Sequence, residues 1–291
     1  MGYHERGKKW GTMLRFLILS DIHANAAALR AVLKYTAGWR VDRILSLGDH
    51  LNCGPMPMQS IGMLKDAGAM LLMGNHEERL AKMQAGDREL NESYNWSMIQ
   101  WTSSQIVGES LDYQRECIVD DSFFTHAVPG DLNRLVRPCD TEEADAILAR
   151  HSQTRLVCGH YHTPWRHICK GKELICIGSL GMLEDGMGCS AAFALMENER
   201  LELYTIPYDP SGLKESYVES GLAEAAPEFA RAAYQTMLTG EQELVIKFVN
   251  AIQAVAASEN IPWQSRKAVK LAAEYFAWTE DISCETFWKG A

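Results

Sequence analysis

Seven side chains of three chemical kinds stand just after short apolar runs. Asp21 and His23 share a D-x-H spacing, Asp49 follows Gly48, Asn75 follows Gly74, His126 stands alone, and His160 and His162 form an H-x-H pair after Gly159. In an extended segment residues i and i+2 point the same way, so each spaced pair can face one site. Two carboxylates, one amide and four imidazoles form a mixed oxygen and nitrogen donor set that suits divalent Mn, Fe, Zn or Co. Seven donors exceed what one tetrahedral zinc with an open position needs. They suit two ions about 3.5–4 Å apart sharing a carboxylate, a pair that acidifies a trapped water and clamps both oxygens of an in-line displacement at phosphorus. A glycine ahead of several donors lets the backbone turn sharply and come close to a bound ion or phosphate.

Such donors need a scaffold that brings strand ends together. Phe16–Ser20, Arg43–Leu47, Ala69–Met73, Phe123–Thr125, Leu156–Cys158, Leu174–Ile177, Ala191–Met196 and Leu201–Ile206 read as strands. Helices are expected over Asn25–Thr36, Pro57–Lys65, Glu77–Met83 and Tyr94–Ile106, and over a further stretch capped by Asp140 and Thr141 with Glu143 in its first turn. Strand–helix alternation argues for a layered α/β fold with partly parallel pairing. The donors then fall at the carboxyl ends of strands, where open α/β sheets bind ligands. After the turn-rich Tyr208–Gly212 the pattern becomes helical: Val245, Phe248, Val249, Ile252 and Val255 recur on one face, as do Val269, Ala272, Ala273 and Phe276.

The chain of 291 residues carries 28 Lys and Arg against 38 Asp and Glu, a net charge of −10, with 47% hydrophobic residues and eight cysteines. That composition excludes disordered, collagen-like and disulfide-scaffold classes. The acidic balance disfavours a nucleic-acid partner. No apolar run approaches the roughly 18 residues of a bilayer span. With no export signal read, the expected compartment is the cytoplasm, with its thiols reduced. Residues 1–12 carry no periodic pattern and are expected to be a disordered leader.

Taken in order, Asp21-Ile22-His23, Gly48-Asp49, Gly74-Asn75-His76-Glu77, His126 and Gly159-His160-Tyr161-His162 resemble the motif set of the calcineurin-like metallophosphoesterase superfamily, in particular its small bacterial phosphodiesterases. The resemblance implies a two-layered β-sandwich flanked by helices over residues 13–208, with residues 209–291 as a helical C-terminal appendage. It implies two divalent ions, Mn first, with Fe, Zn, Co or Ni as the others. One would take Asp21, His23 and His162, the other Asn75, His126 and His160, with Asp49 between them. A hydroxide bridging the ions would be the nucleophile. His76 would be the catalytic histidine that ligates nothing and serves the leaving oxygen, a task suited to an imidazole at a helix N-terminus. The implied activity is hydrolysis of small-molecule or nucleotide phosphodiesters. Phosphomonoester or protein-phosphate hydrolysis is the alternative, as is a metal-binding scaffold that holds a partner through its helical tail. Ala24, Leu180 and the Asn52-Cys53 pair depart from the usual residues without removing a ligand.

Other features carry plainer expectations. His4, His50, His151 and His167 read as surface or satisfied core residues, with His50 the exception to watch because it adjoins Asp49. Arg134 and Arg137 follow His126 closely enough to pair with a substrate phosphate, or else are solvated charges. Trp263, Phe276, Trp278, Phe287 and Trp288 are expected to pack within the helical segment. A cover over the site or an oligomer contact is the sharper reading of that segment.

Overall fold

Strand β1 (Arg15–Leu19) shows how the layers arise. Its side chains alternate, so Leu17 and Leu19 pack against helix α1 (Ala26–Thr36) through Leu29 and Val32. Phe16 and Ile18 turn the other way, into a core shared with Phe124, Val157 and Ile175 of the opposite sheet. Two sheets back to back, each with an outer helical layer, follow from that alternation. The computed structural model describes residues 14–109, 111–197 and 200–289. The leader expected over residues 1–12, with His4 in it, lies outside them.

The remaining strands are β2 (Arg43–Ser46), β3 (Met70–Leu72), β4 (Tyr113–Gln114), β5 (Glu116–Val119), β6 (Ser122–Thr125), β7 (Arg155–Cys158), β8 (Trp165–Cys169), β9 (Lys172–Cys176), β10 (Ser190–Glu197) and β11 (Arg200–Pro207). One sheet runs β11-β10-β1-β2-β3-β4 and the other β5-β6-β7-β9-β8. The strands β1 to β4 are mutually parallel, as are β6, β7 and β9, while β10, β11, β5 and β8 add antiparallel edges. The carboxyl ends of β1, β2, β3, β6 and β7 therefore open toward one end of the sandwich, and every predicted donor follows one of them.

Helices α2 (Pro57–Asp66), α3 (Asn75–Gln84) and α4 (Arg88–Glu92) follow in the first half. The helix expected over Tyr94–Ile106 is a short 3₁₀ turn, Tyr94–Trp96, running into α5 (Ser97–Gln105). Helix α6 (Thr141–Arg150) lays Ala144, Ile147 and Leu148 on Leu156 and Leu174 of the second sheet. Beyond residue 210 come α7 (Leu213–Glu219), α8 (Leu222–Ala225), α9 (Pro227–Thr239), α10 (Leu244–Glu259), α11 (Arg266–Tyr275) and α12 (Cys284–Lys289).

The aromatics singled out in this helical region pack together, with Phe287 and Trp288 buried and Trp263, Phe276 and Trp278 against them. Arg231 lies fully buried between Trp278 and Phe287, its guanidinium carbon 4.6 and 4.5 Å from the ring centres, and donates to the carbonyls of Ile282 and Glu280. The same apolar cluster takes in Cys53, Met98, Trp101 and Met182 from the first two-thirds of the chain. The buried Tyr217 hydroxyl donates to Cys53 O at 2.8 Å. Removing residues 212–291 would strip that cluster of most of its side chains. The expected result is loss of soluble, cooperatively folding protein, checked by expression and thermal denaturation; a soluble truncated enzyme would contradict it.

Candidate metal centre

The loops that carry the donors are tied to one another through their backbones. Asp21 N donates to Gly48 O at 3.0 Å, His23 N to Asp49 O at 2.9 Å, and Gly159 N to His126 O at 2.8 Å. Asp21, His23, Asp49, His160 and His162 all take positive φ, between 40° and 67°. That region is sparsely used by residues other than glycine and costs of order 1–3 kcal/mol each, and such strain clusters at functional sites. Two of the glycines are required by closeness: a Cβ on Gly74 would overlap Asp49 Oδ1, and one on Gly159 would overlap Ser20 Oγ and Asp21 Oδ2.

Glu77, the last residue of the G-N-H-E block, explains why the Asp49 loop holds its shape. Its buried carboxylate accepts from the backbone N–H of Asp49 at 2.8 Å, His50 at 2.9 Å, Leu51 at 3.2 Å and Gly74 at 2.9 Å. The two aspartates are each half spent on structure. Asp21 Oδ2 accepts from Ser20 Oγ and from His160 N, and Asp49 Oδ1 accepts from His76 N at 3.0 Å. Their other oxygens face the loops' shared interior.

There the donors gather in two adjoining groups, Asp21 with His23 and His162, and Asp49 with His126 and His160. His23 Nε2 and His162 Nε2 are 3.0 Å apart, and His162 Nε2 is 3.4 Å from Asp21 Oδ1, a buried oxygen that makes no hydrogen bond among the described residues. Asp49 Oδ2 lies 3.5 Å from His126 Nε2, 3.6 Å from His76 Nε2 and 4.0 Å from His23 Nε2, which places it between the groups. His126 Nδ1 lies 3.1 Å from Leu47 O, a pure acceptor. It therefore carries a proton there, so loss of the second proton frees the Nε2 lone pair toward the interior.

Asn75 joins the second group. Its side-chain oxygen is 3.0 Å from His126 Nε2, and its position is 2.9 and 3.1 Å from the Asp49 carboxylate oxygens. The amide nitrogen faces only donors, those of the Arg79 guanidinium. Hydrogen bonding alone would choose the reverse orientation. A cation beside Asp49 would favour an amide oxygen turned toward it, and the mixed oxygen and nitrogen donors gathered here fit a metal-binding role.

The electrostatics point the same way. Burial works to raise both aspartates, but neighbouring imidazoles outweigh it: His162 and His126 beside Asp21, and His126 and His76 beside Asp49, hold these carboxyls well below the usual range. Burial and nearby positive charge push His23 and His160 down to about 4, so both rings are neutral lone-pair donors near pH 7. His126 is raised to about 9, since the Asp49 charge and hydrogen bond overcome its burial. His162 is raised too, despite burial, by Asp21 and Glu184. Metal binding here would displace protons from these two rings.

His76 stands at the edge of the first group, its ring centre 5.3 Å from that of His23 and its side chain 19% exposed. Burial pushes it down to about 4 against the pull of Asp49. Asn52 Nδ2, which can only donate, is 2.7 Å from His76 Nδ1. The proton of the neutral ring therefore sits on Nε2, facing the interior. Cys53 lies within 4.8 Å of the ligating atoms of His23 and His76. Burial and the nearby Asp49 charge push its thiol up, so it stands there as a neutral group. Asn52 and Cys53, two of the four residues that depart from the motif pattern, thus flank His76.

Glu184 was not visible as a site residue in the sequence. Its Oε1 is 3.1 Å from His162 Nδ1 and its Oε2 accepts from Glu243 N at 2.8 Å, where α10 begins. A carboxylate behind a ligating histidine fixes the ring and raises its basicity. Replacing Glu184 by Ala is expected to weaken metal affinity about 10- to 100-fold, measured by competition with a fluorescent chelator. Unchanged affinity would contradict this role.

Arg134 and Arg137 are taken up by carboxylates, Arg134 with Glu143 at 2.5 Å and Arg137 with Glu243 at 2.9 Å. His167 pairs with Asp145 at 2.7 Å, and His151 packs on Phe123. His50 is fully buried, stacked on Tyr113 and 3.7 Å from Glu77.

A family model for calcineurin-like phosphoesterases matches residues 14–194, more than half of the chain. The chain belongs to that family. This calcineurin-like phosphoesterase is 25% identical over 229 residues to the uncharacterized protein MJ0912 of Methanocaldococcus jannaschii, a match that covers 71% of this chain and 93% of the relative. Among solved structures it is similar to a metallophosphoesterase from Sphaerobacter thermophilus, with a TM-score of 0.66, 24% identity, and coverage of 79% of this chain and 100% of that one. It is also similar to the hypothetical protein PH1004 from Pyrococcus horikoshii, with a TM-score of 0.65, 15% identity and the same coverages. These likenesses show a shared fold: mixed sheets, flanking helices and, in this phosphoesterase, a helical region after residue 210. Among the described residues no helix is long and apolar enough to cross a membrane.

Proposed function

We propose that this phosphoesterase hydrolyses small-molecule or nucleotide phosphodiesters at a dinuclear centre of divalent ions, manganese first. Asp21, His23 and His162 would hold one ion and Asn75, His126 and His160 the other, with Asp49 shared. The observation that carries the reading is the gathering of Asp21, His23 and His162 beside Asp49, His126 and His160, with the Asn75 side chain against Asp49 and His126. The orphaned Asp21 Oδ1 and the left-handed donor loops support it. Bound there, two such ions acidify a water and stabilise charge on both the attacking and leaving oxygens of a phosphoryl centre.

The chain's own groups do the rest. Each aspartate keeps one oxygen on a backbone N–H, so its other oxygen is aimed without rotation and little reorganisation is needed. His76, with Nδ1 held by Asn52, offers its Nε2 proton toward the leaving oxygen. The diester preference rests on the resemblance of the motif set to small phosphodiesterases, and it separates from phosphomonoester hydrolysis by assay. Purified protein, with and without Mn²⁺, is given bis-p-nitrophenyl phosphate and p-nitrophenyl phosphate in parallel. Metal-dependent turnover with higher kcat/KM on the diester is expected. Turnover of the monoester alone would overturn the diester assignment, and metal-independent turnover would overturn the centre.

A further inference from the structure

Arg79 lies on α3 one turn beyond Asn75 and His76, on the same helix face by i, i+3 and i, i+4 spacing. Its guanidinium is half-buried, 5.5 Å from the Trp96 ring centre, with Nη2 donating to Asn133 Oδ1 at 2.8 Å. Among the described residues it forms no ion pair. The nearby Glu78 is engaged by Lys82 and Arg115 instead. Toward the interior, Arg79 Nη1 and Nη2 stand 2.7 and 3.3 Å from the near end of the Asn75 side-chain amide. Arg79 is also close enough to His76 for its charge to oppose protonation of that ring.

We infer that Arg79 grips a non-bridging oxygen of the substrate phosphate, making it the specificity-determining cation of the site. The inference rests on the hydrolase reading above. If Asn75 turns its oxygen to a cation, its N–H₂ faces Arg79, whose Nη2 is met by the Asn133 amide oxygen and whose charge no carboxylate among the described residues neutralises. Arg79 and the Nε2 proton of His76 thus form a donor-rich corner on one helix face, beside side chains suited to metal. An oxyanion satisfies such a corner, and a guanidinium meets phosphate oxygens in a planar fork that lysine cannot copy. A phosphomonoester brings one more charged oxygen than a diester, so Arg79 matters more for the monoester and for inorganic phosphate. Arg134 and Arg137, which follow His126 in sequence, are already neutralised by Glu143 and Glu243.

The test uses full-length, Mn²⁺-loaded protein: wild type, R79Q, R79K and, as a control, R134Q. Binding of inorganic phosphate is measured by titration calorimetry, beside metal content and the KM of both p-nitrophenyl esters. R79Q is expected to keep its metal and to bind phosphate about 10- to 100-fold more weakly, the span of one or two charge-assisted hydrogen bonds. Its KM should rise more on the monoester than on the diester. R79K should fall between, and R134Q should match wild type. Wild-type phosphate affinity in a metal-replete R79Q would overturn the inference, as would loss of metal in R79Q, which would make Arg79 a support for Asn75. A wild type that takes up no metal and cleaves neither ester sinks the hydrolase reading itself, and that result is distinct from the other two.

Discussion

Asp49→Asn is expected to lower kcat on bis-p-nitrophenyl phosphate by about 10³-fold or more and to leave at most one tightly held ion. Asn keeps the shape of the side chain and can still accept from His76 N through Oδ1, so the loop needs no rearrangement. What it loses is the charge at Oδ2, the atom set among His23, His76 and His126. A two-ion clamp supplies several kcal/mol of transition-state stabilisation, and about 4 kcal/mol corresponds to roughly 10³ in rate. Elemental analysis beside the kinetics checks both parts. A variant with two ions and near-normal turnover would show that Asp49 is not shared between them.

His76→Ala should behave differently, and the contrast is the point of making it. The ring is placed to donate from Nε2, with its proton position set by Asn52, and belongs to neither of the two donor groups built on the aspartates. General-acid assistance of this kind is worth about 10²–10⁴ in rate. The expected result is a fall of that size in kcat with both ions retained and little change in KM. Full activity with metal retained would remove the catalytic role, and loss of metal would make His76 a ligand. The fall should shrink on a diester whose leaving group is a weak base, because such a leaving oxygen needs no proton. This comparison uses nitrophenyl against alkyl leaving groups.

How much of this was legible in the sequence follows from which physical signals leave a linear trace. The donor residues did, because strand ends, preceding glycines and i, i+2 spacings are local, and all seven come together at one end of the sandwich. The central strands were legible as continuous apolar runs. Strands β5 and β8 were not: they are edge strands whose residues alternate between half-buried and exposed, as in Trp165–Cys169, and so carry little hydrophobic pattern. The helix expected over Tyr94–Ile106 breaks at Trp96, where the 3₁₀ turn passes into α5.

The supporting residues were the least legible. Glu184 reaches His162 across 22 positions, and Asn52 reaches His76 across 24. Arg79 looks from sequence like any exposed helix arginine, whereas Arg134 and Arg137 drew notice only by their nearness to His126. Long-range pairing of this sort has no period and appears only when the chain is folded. The same holds for the tail, whose helical faces were plain but whose union with Cys53 and Trp101 was not.

The most direct test of the account is a crystal of the full-length protein grown with Mn²⁺ and measured at the manganese absorption edge. The account predicts two anomalous peaks on either side of Asp49 Oδ2, one within ligand distance of Asp21, His23 and His162, the other of Asn75, His126 and His160. A single peak, or manganese bound elsewhere with these side chains empty, would contradict it.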